Sequence, residues 1–209
     1  MKNSEHLEAL KDIRSIMERS SRFLSLSGLS GVYAGVFALL GLIAVCVRFD
    51  LSFLDSMYYE RLTTKAEDRE FINFFILDAC IVLAAALTGG MLLSWKKARK
   101  KSLPVFDATA KRLAINMLIP LLAGGVFSLI LLVHSYAGLI VPSMLLFYGL
   151  ALVNASKYTL HDIRYLGILE IILGLLAAYL MNYGLLFWAL GFGVLHIVYG
   201  TAMYIRYER

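Results

Sequence analysis

The sequence predicts an all-α, polytopic membrane bundle of six transmembrane helices with both termini cytoplasmic. Two observations predict it. The 209-residue chain is 60% hydrophobic and 17% charged, with a mean hydropathy of +0.74, whereas a soluble domain carries about 25% charged residues. Three runs also lack Lys, Arg, Asp and Glu altogether: 25 residues over 23–47, 44 over 113–156 and 35 over 171–205. One crossing of the hydrocarbon core needs about 20 such residues. An ordinary soluble domain and a disordered chain are both excluded. The runs are continuously apolar rather than alternating, which excludes the strands of a membrane barrel.

Taken in order, residues 1–25 form a cytoplasmic amphipathic helix and 26–209 the transmembrane domain. Within 4–24, Leu10, Ile13, Met17 and Leu24 recur at helical spacing against Glu8, Lys11, Asp12, Arg14 and Glu18, the pattern of a helix lying on a membrane surface. With about twenty polar residues ahead of the apolar run, this is not the layout of a cleavable signal peptide. The first span covers 26–47 and ends where Arg48 and Asp50 return charge; the second covers 74–95 and is stopped by Lys96 and Lys97. The 44-residue run would be about 66 Å of helix, twice the hydrocarbon thickness. It therefore divides at His134-Ser135-Tyr136-Ala137-Gly138 into 113–133 and 139–156. The last run divides at Asn182-Tyr183-Gly184 into 165–181 and 185–205, because Asn and Gly tolerate turn dihedrals. Tyr136-Ala137-Gly138-Leu139 and Asn182-Tyr183-Gly184-Leu185 align at an offset of 46, a weak echo between the last two hairpins. Pro120 sits inside span three, where a proline can kink a helix.

Orientation follows from Lys and Arg. With both termini inside, the segments at the cytoplasmic face carry 16 of the 20, and the 48–70 loop carries the other four. The positive-inside rule then fixes the topology. The net charge of +5 belongs to a membrane face rather than to a nucleic-acid surface. The 48–70 loop mixes Phe53, Tyr58 and Tyr59 with six acids, as an interfacial belt requires.

Ionisable groups at membrane depth are costly and need a partner or a polar cavity. Glu170 lies about 6–7 Å into span five by helical rise, either held by an interhelical hydrogen bond or a salt bridge to Lys157 or Arg164, or serving as a proton or cation ligand. His196 falls near the middle of span six. With Tyr199 and Asn154, these two make the candidate polar membrane site. Lys157, His161, Asp162 and Arg164 crowd the cytoplasmic turn between spans four and five, as a charged anchor or the rim of an inward pocket. Asp78 and His134 fall near the exterior ends of their spans, where water solvates them. No Cys or His ligand spacing is present, and the depths of His134 and His196 are mismatched for one haem; no metal or cofactor is expected. Cys46 and Cys80 lie at similar depth and could be bridged or simply packed. Ser27, Gly31 and Gly35 recur every four residues and form a helix-packing edge.

No phosphate loop, nucleophile elbow, zincin helix or dinucleotide fingerprint occurs. Met17-Glu18-Arg19-Ser20-Ser21-Arg22-Phe23 with 25–31, then Leu160-His161-Asp162-Ile163-Arg164-Tyr165-Leu166-Gly167-Ile168, then Leu195-His196-Ile197-Val198-Tyr199-Gly200 carry a resemblance along the whole chain. The chain resembles a family of small, uncharacterised bacterial inner-membrane proteins with six predicted spans. The resemblance implies no activity; it draws attention to Arg19, Arg22, His161, Asp162, Arg164, Glu170 and His196. Three functions fit: a non-catalytic regulatory, assembly or sensing module, which is the leading one; a small transporter or channel for a proton, ion or solute; and an intramembrane lipid-modifying enzyme. The expected partner is the lipid bilayer. The N-terminal helix and span one are where a homodimer or a protein partner would attach.

Overall fold

The computed structural model describes residues 26–52, 69–100 and 107–209. The amphipathic helix expected over 1–25 and most of the 48–70 loop lie outside the described residues. Those described are helical, with no strand among them. We label the helices α1 (Gly28–Phe49), α2 (Arg69–Lys100), α3 (Ala108–Val133), α4 (Ile140–Ala155), α5 (Asp162–Tyr179), α6 (Gly184–Trp188) and α7 (His196–Tyr207). Ala189–Leu195 joins α6 to α7 as a π-helix. Five segments are long and apolar enough to cross a membrane: Gly28–Phe49, Glu70–Lys100, Ala108–Val133, Ala137–Ala155 and Met181–Tyr207.

The helices outrun the apolar runs because charge marks the lipid boundary, not the end of a helix. Arg69 and Glu70 open α2, and Lys96 to Lys100 continue it, giving 32 residues where about 20 cross the hydrocarbon. Helix α3 starts at a fixed point: extended Asp107 accepts a hydrogen bond from the Ala110 amide at 2.6 Å, an N-cap. Pro120 is carried inside α3, which continues through it to Val133.

Two helices end on left-handed residues other than glycine. Ser135 has φ 62°, and Tyr136 N–H reaches back to Leu131 O while Ser135 N–H reaches Leu132 O. Asp50 has φ 51°, with Leu51 N–H on Cys46 O. These bonds satisfy carbonyls that a helix end otherwise orphans. Leu51 then tucks into an apolar cluster with Leu42, Val45, Phe71 and Leu185.

The helices stand roughly in a row. Helix α2 packs on α1, α1 packs on the C-terminal segment from Ala189 to Tyr207, that segment meets α5 and reaches α4 through His196, and α4 packs on both α5 and α3. Backbones touch at two seams. On the first, a Cβ added at Gly31 would stand 3.2 Å from Gly200 Cα, and one at Gly35 2.7 Å from Gly193 O. The Ser27-Gly31-Gly35 edge is thus occupied within the chain by the C-terminal segment. On the second, Gly149 and Gly167 face each other, each carbonyl oxygen under 3 Å from where the other's Cβ would be. Such close approach is how helices gain dispersion contact where lipid removes the hydrophobic drive. The outer faces remain apolar: Leu77, Leu83, Leu87 and Met91 of α2 and Ile119, Leu122 and Val126 of α3 are all exposed. A surface of that kind suits acyl chains, not water.

Candidate functional site

Charged and polar groups gather at one end of the bundle and at its centre. At the basic end, Glu208 stands just past the last residue of α7. Its carboxylate accepts from the Gly28 amide and from the Ser27 hydroxyl at 3.1 Å, and lies 3.4 Å from Lys97 Nζ. Lys97 donates also to Leu26 O. Ser27 occupies the N-cap position of α1 but makes no cap bond of its own; Glu208 supplies the negative charge that a helix N-terminus favours. Nearby, Asp162 at the start of α5 pairs with Arg206 at 3.1 Å and accepts from the Tyr207 hydroxyl at 2.8 Å.

The central site is built from three helices. Glu170 on α5 is 0% exposed, eight residues beyond Asp162 and so about 12 Å along the helix. Helix α5 begins at Asp162, three residues ahead of the expected span start at Tyr165. His196 opens α7, and Tyr148 comes from α4. The Tyr148 hydroxyl is 2.7 Å from His196 Nε2, and His196 Nδ1 is 2.9 Å from the carbonyl oxygen of Gly191. That carbonyl can only accept, so Nδ1 carries a hydrogen. Tyr148 then donates to Nε2 when the ring is neutral and accepts from it when the ring is charged. Glu170 Oε1 lies 3.5 Å from His196 Nδ1, yet neither carboxyl oxygen has a hydrogen-bond partner. Phe192 lies across both rings, its centroid 5.3 Å from Tyr148 and 6.1 Å from His196.

The pocket around the carboxyl is tight. A Cβ on Gly191 would stand 2.6 Å from Glu170 Oε2 and 2.5 Å from Leu145 Cδ2. Only glycine lets the C-terminal segment approach so closely.

Chemically, the pair holds its charge in balance in two ways. Either Glu170 is protonated and His196 neutral, or Glu170 is a carboxylate and His196 an imidazolium. Losing one proton leaves a lone buried carboxylate and gaining one leaves a lone imidazolium, each costing several kcal/mol in effective desolvation (~3–5 kcal/mol for an uncompensated buried charge).

Of the four residues expected to form the polar site, the structure joins Glu170 and His196. Tyr199 is half-buried one turn beyond His196, packed on Leu152, Leu160, Ile163, Leu166 and Met203. Asn154 turns to α3, donating to Asn116 O at 2.9 Å. Glu170 faces His196 rather than Lys157 or Arg164, which are both exposed. His161 is exposed, edge-on to Tyr165. Asp78 is half-buried over Gly41 of α1, His134 is exposed, and Cys46 and Cys80 are free thiols. Tyr148 was the member that sequence reasoning missed; it lies in the unbroken apolar run of α4, and only its hydroxyl marks it.

Compared with known proteins, the chain matches no family model, no curated protein and no solved structure.

Proposed function

We propose that this is a six-span membrane protein acting as a non-catalytic sensing or regulatory module whose input is a proton at the Glu170–His196 pair. Helix α5 is the sixth crossing. Its 18 residues make about 27 Å of helix, and it falls short of the apolarity of the other five because Asp162, Arg164 and Glu170 lie in it. The Lys and Arg distribution supports cytoplasmic termini, with residues 1–25 as an amphipathic helix on that face. The resemblance along the chain supports a bacterial inner membrane, and the N-terminal helix remains the surface offered to a homodimer or protein partner.

One observation carries the functional reading: Glu170 is wholly buried with neither oxygen hydrogen-bonded. A carboxyl kept at membrane depth without donors is a poor structural strut, and ionisable residues there are functional by default. A proton is a ligand that such tight surroundings admit. Difference infrared spectroscopy on the protein in lipid tests this. A carbonyl band of a buried protonated carboxyl should respond to bulk pH in the wild type and vanish in Glu170→Gln. A band that never responds to pH sinks the reading.

Passage of protons is the second reading, favoured by the Tyr148–His196–Glu170 chain across three helices. Proteoliposomes holding a pH-sensitive dye separate the two: a flux abolished by Glu170→Gln selects transport, and its absence with a titrating band selects sensing.

A further inference from the structure

The π-helix is the feature that the proton site leaves unexplained. Among the described residues it is the one stretch of its kind, seven residues with ordinary α-helix on either side. π-turns are rare and concentrate at functional sites. Here the register is held by groups outside the segment. Gly191 O would bond the backbone amide five residues on in a continued π-ladder. It also takes the ring Nδ1–H of His196, and the His196 amide reaches Gly193 O. On one side Gly191 is pressed against the Glu170 carboxyl; on the other Gly193 is pressed against Leu39 of α1, and its carbonyl lies 2.7 Å from where a Cβ on Gly35 would be. The seven residues therefore touch the buried carboxyl with one glycine and α1 with another.

We propose that Ala189–Leu195 is the moving part of the site: a change in the proton count of Glu170 and His196 shifts this segment between π and α winding, and α1 reads the shift at Gly35. The inference rests on the reading of Glu170 as a proton site. The link is direct, since an imidazolium holds Gly191 O more strongly than a neutral ring does, while the charge on Glu170 acts on the carbonyl dipoles beside Gly191. Tyr148 from α4 and His196 from α7 are the titratable groups facing Glu170, with Tyr199 one turn further along α7. Converting one π-turn to α-winding rotates the flanking helix by about 100° and moves it about 1.5 Å, one residue's worth. With His196 tied to Tyr148, the end that turns is α6, carrying Trp188.

Trp188 makes this measurable, because its ring lies tilted against Phe192 inside the segment, centroids 4.6 Å apart. The chain has two tryptophans, so Trp95→Phe leaves Trp188 as the sole reporter. In lipid nanodiscs, its emission maximum should shift as pH is swept, and the shift should be lost in Glu170→Gln. Deleting Val194 removes one residue from the segment and lets α-winding run through. In that variant the emission should hold one value at all pH while the Glu170 infrared band still titrates. A Trp188 response that survives in the Val194 deletion or in Glu170→Gln overturns the proposal. So does a silent Trp188 beside a titrating band, which leaves the proton site standing. A band that does not titrate removes both. Should the deletion variant not fold, the Glu170→Gln comparison decides alone.

Discussion

The Tyr148 hydroxyl and His196 Nε2, 48 residues apart in sequence, meet at 2.7 Å in the middle of the bundle. This bond fixes the imidazole so that Nδ1 faces both Gly191 O and Glu170. Tyr148→Phe keeps the ring stack with Phe192 and removes the donor alone. A buried acceptor left unsatisfied costs about 1–3 kcal/mol. Melting in detergent should fall by several degrees, at about 2–4 °C per kcal/mol for a chain of this size. In a His196→Ala background the same substitution should cost much less; equal costs in both backgrounds would mean the bond does not form.

Gly191 is the contact between the C-terminal segment and the carboxyl. Gly191→Ala places a methyl group 2.6 Å from Glu170 Oε2 and 2.5 Å from Leu145 Cδ2, and both side chains are 0% exposed. Overpacking of this kind costs about 1–3 kcal/mol. Because the clash is with named side chains, Glu170→Ala should relieve part of it. Thermal melts of the two single variants and the double variant check this; strictly additive losses would place the strain elsewhere.

Glycines that look alike in sequence differ in what they face. A Cβ at Gly28 would run into the backbone nitrogen of Tyr204 and the carbonyl of Gly200, whereas one at Gly125 meets nothing within 4 Å. Gly28→Ala should therefore part α1 from α7 and destabilise the bundle. Gly125→Ala should be neutral or gain up to about 1 kcal/mol from helix propensity. Unfolding curves for the pair make the comparison, and equal losses would count against the α1–α7 seam.

The same contrast explains how much of the molecule could be read in advance. The apolar runs and the hairpin turns at 134–138 and 182–184 were legible, because lipid demands uninterrupted apolar length and turns need polar or small residues. The ends of α2 were not, since charged residues that leave the lipid can stay helical. Glu170 and His196 stood out as ionisable groups in apolar sequence. Their pairing did not, because it depends on how α5 and α7 face each other across 26 residues of chain. Gly191 and Gly193 resembled ordinary packing glycines, and nothing in their sequence marks π-winding. Glu208 carried no signal in the sequence, although it caps a helix 180 residues away.

That cap supplies the last prediction. Lys97 and Glu208 are 7% and 10% exposed in their side chains, so neither charge is well solvated. Each has a second partner: Leu26 O for Lys97, and the α1 N-terminus for Glu208. Removing Glu208 takes the carboxylate away from a buried ammonium, and losing one member of a buried pair costs about 3–5 kcal/mol. Glu208→Ala should therefore destabilise far more than an exposed terminal residue normally would. The exposed Arg48–Glu70 pair provides the comparison, since Glu70→Ala at an exposed pair should cost at most about 1 kcal/mol. Replacing both partners, Glu208→Ala with Lys97→Met, removes the buried ammonium as well and should recover much of the loss, short of the α1 cap, worth about 1 kcal/mol. Denaturation of the wild type, Glu208→Ala, Lys97→Met and the double variant in the same detergent gives the coupling directly, and a double variant as weak as Glu208→Ala alone would show that Lys97 is not what Glu208 neutralises.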